Sequence, residues 1–167
     1  MTFDLEERVE RAKALFSEGY NCCQAVFLAY SDLFEIEKGL AEALSCGFGG
    51  GMGRMREVCG SVSGMVLLCG LISGAGPTDR EAKTRNYTLV REVAEEFRSQ
   101  NGSIICRELL GLVPPGSGAK GPEEDATPSV RNGEYYQKRP CRELVGLSAR
   151  IIGKRIALFL DKVNLRD

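Results

Sequence analysis

"CGFGGGMGRMREVCGSVSG", Cys46 to Gly64, is the stretch whose reading decides the fold. If its glycines cradle a phosphate, a strand must lead into them and the chain is α/β. If they join helices, the chain is all-α. A phosphate loop of the G-x-x-x-x-G-K-[ST] type fails, because no Lys-Ser or Lys-Thr follows the glycines. A G-x-G-x-x-G match can be forced through Gly47 and Gly49, but no strand pattern precedes it. Packing accounts for the glycines better. Gly47/Gly51, Gly49/Gly53, Gly60/Gly64 and Gly70/Gly74 are spaced by four. On a helix this spacing bares the backbone on one face and lets a second helix approach. In a loop the same residues permit positive φ and expose amide donors. Either form brings backbone N–H groups near Cys59, so Gly49, Gly50, Gly51 and Gly60 are candidate cofactor-binding positions. Arg54 and Arg56 either add positive charge there or form a solvated face.

Every long periodic segment on either side reads as helix. "LEERVERAKALFSEG" puts Leu5, Val9, Ala12 and Phe16 on one face and ends at Gly19. "NCCQAVFLAYSDLF" follows, with Asn21 as N-cap. A short helix is predicted near Glu37 to Ser45, and another over Cys59 to Ser73. Thr78 and Glu81 form a capping-box pattern for a helix running to Gln100. Ser103 is placed to cap "IICRELLG". The section from Val113 to Arg139 holds Pro114, Pro115, Pro122 and Pro128, has no periodicity, and predicts a long surface loop. The last helix starts at Pro140 and carries Leu144, Ser148, Ile151, Ile152 and Phe159 on one stripe. All six prolines fall between proposed helices. The expected architecture is one all-α domain over residues 1–167, a compact multi-helix bundle with a glycine-rich joint and a Pro/Gly-rich loop.

Composition removes several function classes. The net charge is −1, from 22 basic and 23 acidic residues, so no basic surplus points to nucleic acid. The charged start "MTFDLEERVERAK" predicts no secretory signal. Val58 to Pro77 is uncharged and long enough to span a bilayer, but five glycines and three serines predict a buried, close-packed helix instead. A cytoplasmic protein without a membrane partner is expected. With no histidine, the chain can supply no Ser-His-Asp triad, Cys-His pair or histidine ligand.

Seven cysteines remain: Cys22, Cys23, Cys46, Cys59, Cys69, Cys106 and Cys141. The odd count speaks against a purely structural disulfide set. Cys22, Cys59, Cys106 and Cys141 each fall at or near the first turn of a different proposed helix. Amide donors at a helix start stabilise thiolate, the reactive and metal-binding form. Four such thiolates can converge on one iron–sulfur cluster or metal ion, or form one or two redox disulfides. Without a C-x-x-C pair, spacing does not choose between these. Cys46 and Cys69 read as buried, inert packing residues. Cys23 points about 100° away from Cys22 on a helix, which leaves Cys22 as the member facing a site.

The ordered motifs "GYNCCQAV" (Gly19–Val26), "GFGGGMG" (Gly47–Gly53), "CGSVSG" (Cys59–Gly64), "GSIICRELLG" (Gly102–Gly111) and "CRELV" (Cys141–Val145) resemble the redox-active proteins known by their C–GCAxxG–C–C cysteine pattern. The resemblance covers about residues 5 to 160 and implies that the family's four cysteines are Cys22, Cys59, Cys106 and Cys141. That family usually has alanine after the glycine of the second motif, where this chain has Ser61. A similar domain occurs in split-Soret-type cytochromes, associated with an iron–sulfur centre beside a haem-binding region; this chain has no haem-binding motif. The resemblance implies redox activity or cluster binding and names no reaction.

Three readings follow. In the first, the four cysteines bind an iron–sulfur cluster or another thiolate-bound metal and relay electrons to a redox partner protein. In the second, they cycle between thiol and disulfide without metal. In the third, the chain is a non-catalytic helical interaction or assembly module whose glycine seams make helix contacts, including those of a homodimer. Acid–base chemistry by Glu57, Glu108 or Glu143 is a weaker fourth reading. Glu108 and Glu143 each follow a cysteine by two residues and so point away from it on a helix.

Overall fold

Helix α1 (Leu5–Ser17) begins where the Asp4 carboxylate accepts the Glu7 amide at 3.0 Å. Its Val9, Ala12 and Phe16 are buried, as the period of the apolar residues requires. The computed structural model describes residues 3–165 apart from Ala75 and Pro77. Met1 and Thr2 of the charged start, and Pro77 of the uncharged window, lie outside the described residues.

The other helices are α2 (Cys22–Leu28), α3 (Lys38–Cys46), α4 (Gly60–Ser73), α5 (Arg80–Asn101), α6 (Cys106–Leu109), α7 (Gly133–Lys138) and α8 (Cys141–Asn164), with a 3₁₀ turn at Ser31–Phe34. The fold is an all-α, multi-helix bundle. Among the described residues there is no strand, only an isolated antiparallel bridge between Val58 and Ile105. No helix among them is long and apolar enough to cross a membrane.

Helix α2 is the centre of the packing. Cys23, Ala25, Val26, Phe27 and Leu28 are all buried, as expected for a helix apolar nearly all round. Helices α1, α3, α4 and α8 surround it. The α2–α4 contact depends on the Gly60/Gly64 pair. A methyl group on Gly64 would lie 2.9 Å from Val26 Cβ, and one on Gly60 would lie 2.9 Å from the Phe48 carbonyl oxygen and 3.2 Å from Cys22 Cβ. On α8, Leu144, Ser148, Ile151 and Ile152 are buried, and Phe159 stacks on Phe34 with centroids 6.2 Å apart. Tyr30, fully buried, donates its hydroxyl to the Ala149 carbonyl at 2.8 Å.

Several expectations need correction. Asp79, not Thr78, caps α5, accepting the Ala82 amide at 2.8 Å. Ser103 does not cap α6; its hydroxyl accepts the Ile105 amide and donates to the Glu108 carboxylate, and α6 starts at Cys106 without a side-chain cap. The Gly47/Gly51 and Gly49/Gly53 pairs lie in turns rather than on a helix, and Gly70 meets open space. Of the four spaced pairs, Gly60/Gly64 is the one that makes a close helix seam. The loop after Val113 ends at Asn132, because α7 forms once Asn132 accepts the Tyr135 amide at 2.9 Å.

Candidate functional site

The glycine-rich joint after α3 is a compact coil of left-handed residues. Gly50, Gly51 and Gly53 have φ of 65°, 71° and 58°, and Met52, Arg54 and Arg56 follow them into the same region. Long-reach backbone bonds hold it: Gly53 to Gly47 at 2.9 Å, Arg56 to Gly50 at 3.2 Å and Glu57 to Gly51 at 3.0 Å. Amides committed in this way cannot cradle a phosphate. Cys59 is then tied across to α6, its amide donating to Ile104 at 2.8 Å, while the Cys106 amide donates to Glu57 at 2.6 Å. This pairing sets the starts of α4 and α6 side by side.

Glycine is required at two points of the joint. A Cβ on Gly51 would lie 2.7 Å from Cys106 Cβ. A Cβ on Gly49 would lie 2.6 Å from the Asn21 side-chain nitrogen. Asn21 caps α2 through a capping box with Gln24 and donates to the Cys46 carbonyl at 2.8 Å. Gly49 therefore seats the residue that positions Cys22, and does not itself line the cysteine cavity. Gly50, Gly51 and Gly60 do line it.

Cys22, Cys106 and Cys141 are the first residues of α2, α6 and α8, and Cys59 is the N-cap residue of α4. All four line one small cavity of about 50 Å³, together with Arg56, Arg131, Arg139 and Tyr135. Cys23 is buried away from it and burial pushes its thiol up to about 12. Cys69 is buried in the core, with its thiol also at about 12 for the same reason. Cys46, expected to be a packing residue, is exposed at the end of α3. All seven cysteines are free thiols.

The four cavity thiols differ in ionisation. The neighbouring Cys22 thiol lowers Cys141 to about 7; burial opposes this, and Arg139, Arg56 and Arg131 assist. The same neighbour, with burial, pushes Cys22 well up. Burial raises Cys106 to about 11 although the Arg56 guanidinium lies 3.9 Å from its sulfur. Burial raises Cys59 too, against donors from the Ser61 hydroxyl and the Ser61 and Val62 amides. The Cys59 sulfur and the Ser61 hydroxyl are 3.2 Å apart. The amide donors predicted near Cys59 thus come from the first turn of α4, not from the glycine coil.

Arg56 is 5% exposed, so a solvated role is ruled out. Its Nε donates to Glu124, which reaches in from the loop, and its Nη2 is buried without a partner among the described residues. The glutamates of the acid–base reading are turned elsewhere. Glu57 pairs with Arg107 at 2.9 Å, Glu143 with Lys13 at 3.2 Å, and Glu108 accepts from Ser103 and from the Gly116 amide. Sequence reasoning passed over Arg131, Tyr135 and Arg139. The signal available was a basic–aromatic run, "RNGEYYQKR", immediately before Cys141.

Among the described residues, no group of three or more Cys, Asp or Glu side chains is gathered so as to hold a metal ion. The four cysteines are soft donors lining one cavity beside Arg56, a donor set of the kind that thiolate-bound metals and iron–sulfur clusters take.

The family model described as "Putative redox-active protein (C_GCAxxG_C_C)" matches residues 20–155, and the chain belongs to this family. Neither a curated protein nor a solved structure matches it.

Proposed function

We propose that Cys22, Cys59, Cys106 and Cys141 are the thiolate ligands of an iron–sulfur cluster and that the protein transfers electrons through it. The supporting observation is the convergence of four helix-start cysteines on one cavity that also contains three guanidinium side chains. Such a cluster supplies one-electron transfer at a potential set by charge, hydrogen bonds and solvent access. The chain's residues act on each of these. Arg56, Arg131 and Arg139 offset the negative charge of the thiolates. The Ser61 hydroxyl and the first amides of α4 bond to the Cys59 sulfur. Leu109, Leu110 and Leu144 line the cavity and limit water. The 50 Å³ space is far below the roughly 300–1,000 Å³ of organic ligand sites, so it suits an inorganic core. The test is anaerobic purification with iron and sulfide analysis and a visible spectrum. Bound iron and sulfide with visible absorption are expected, and lost in a Cys59→Ser/Cys106→Ser double variant. Colourless, iron-free protein after reconstitution would overturn the reading.

A specific observation favours a second reading, a metal-free thiol–disulfide protein. Cys22 and Cys141 line the same cavity, and the neighbouring Cys22 thiol lowers Cys141 to about 7. In that chemistry Cys141 attacks a disulfide substrate and expels one thiolate. Cys22 then loses its proton and attacks the Cys141 sulfur, expelling the second thiolate. The substrate disulfide is reduced by two electrons as Cys22–Cys141 is oxidised. Thiol counting before and after a disulfide oxidant should show two thiols lost per chain. An unchanged count would eliminate it.

A further inference from the structure

A second cavity, about 300 Å³, adjoins the cysteine cavity. The two share Asn21, Gly50, Arg56, Arg131, Tyr135 and Arg139 as walls, so one forms a vestibule to the other. The vestibule adds Arg54, which does not line the cysteine cavity. Four guanidinium groups therefore face a space in which the carboxylate paired to them is Glu124, bonded to Arg56 and 3.6 Å from Arg54.

The other two cations make no ion pair within 4.0 Å among the described residues, although the charge of Arg139 helps to lower Glu124. Arg131 donates to the Phe16 carbonyl at 2.6 Å and stacks 4.5 Å from the Phe16 ring. Arg139 lies 4.8 Å from the Tyr135 ring centroid and makes no ion pair or side-chain hydrogen bond among the described residues. Arg56 Nη2 is buried and unpartnered. A buried guanidinium nitrogen without an acceptor is costly unless a ligand supplies one. Arg54, on the outer wall, is taken up by the loop: it donates to the Asp125 carbonyl and the Ser129 hydroxyl, both at 3.1 Å, and pairs with Glu124.

We infer that the vestibule binds a small oxyanion, a short carboxylate or an inorganic phosphate or sulfur oxyanion, through Arg139 and Arg131, with the charge of Arg56 on the same wall. Planar guanidinium forks match two oxygens of such a group, and stacking on Tyr135 holds the Arg139 fork in place before the ligand arrives. The volume lies at the lower limit of ligand pockets, which selects a ligand of few atoms. As the substrate site of a redox centre, the vestibule rests on the proposed role of the four cysteines; as an anion site, it rests on the arginines alone.

The test is calorimetric titration of the full chain, at constant ionic strength, with phosphate, sulfate and succinate in separate arms. Saturable one-to-one binding of at least one probe is expected, and the responding arm identifies the class of oxyanion. Arg139→Gln should weaken it at least about tenfold, the value of a charged hydrogen bond. Arg91→Gln, on the exposed side of α5, should leave it unchanged. If Arg139→Gln fails to fold by circular dichroism, Arg139→Lys replaces it, with about threefold weakening expected from loss of the fork. Flat titrations with all three anions to about 20 mM, or equal binding by the Arg139 variant and the wild type, would overturn the inference. Iron is measured on the same samples. Anion binding by protein that stays iron-free after reconstitution would overturn the cluster and leave the vestibule standing; flat titrations of iron-loaded protein would do the reverse.

Discussion

Two irregular segments border the cysteine cavity, and they are held in different ways. The joint at residues 47–59 is held by its own backbone, through bonds that reach five or six residues back. The loop at residues 113–132 is held by side chains: Glu124 on Arg54 and Arg56, the Ala119 carbonyl on Arg107, and Arg131 on the Phe16 carbonyl. The joint is a rigid wall that glycine makes possible. The loop is a cover whose attachment depends on a few charged contacts. The contrast extends to the thiols, since Cys106 stands against the joint and Cys141 follows the loop and α7.

The widest expected difference is in ionisation. With Cys141 lowered to about 7 by its Cys22 neighbour and Cys106 raised to about 11 by burial, Cys141 is the more readily ionised of the two. Alkylation of metal-free protein, read by peptide mass spectrometry, should therefore rise at Cys141 as pH increases through about 7, with Cys106 protected until far more alkaline pH. Equal rates at the two sites would remove the electrostatic side of the comparison. Next in size is a matched glycine pair. Gly51 and Gly116 share a φ of 71°, but a Cβ on Gly51 meets Cys106, whereas Gly116 has open space. Gly51→Ala should cost about 3 kcal/mol, strain plus overpacking, measured by urea denaturation. Glu124→Gln should cost about 1–2 kcal/mol, since the loss leaves Arg56, with its side chain 6% exposed, poorly paired. It should also raise hydrogen exchange in residues 119–132 while the joint stays protected. Gly116→Ala should cost about 1 kcal/mol or less. If Gly116→Ala matched Gly51→Ala, packing would not be what distinguishes wall from cover.

The same contrast explains what was legible in the sequence. Two helix starts were readable because their signals are local: Asn21 and Pro140 lie next to Cys22 and Cys141, whereas α4 and α6 start at Cys59 and Cys106 without a side-chain cap. The Gly60/Gly64 seam was readable because it is a helical spacing with a close neighbour. The coil between them was not. Its glycines serve positive φ and long-reach bonds, which helical spacing does not encode. For Arg56 the sequence left site charge and a solvated face both open, because its partner Glu124 lies 68 residues further along. The role of the loop was hidden for the same reason, as its anchors are single side chains without periodicity. Cys46 was misplaced because an apolar residue at the end of a short helix need not face inward.

The Tyr30 hydroxyl on the Ala149 carbonyl has a mechanical consequence. Tyr30 stands eight residues after Cys22 (30 − 22), and Ala149 eight after Cys141 (149 − 141). The two segments meet at the Tyr30–Ala149 bond and both lead to cysteines of one cavity. The meeting point is keyed, because Tyr30 occupies a notch in α8 that a side chain on Gly153 would fill. A shift of α8 by one turn, about 5.4 Å, would have to pull the phenol from its notch before Cys22 and Cys141 could part. The spacing of the sulfurs is thereby gauged from deep in the core, out of reach of whatever enters at the surface.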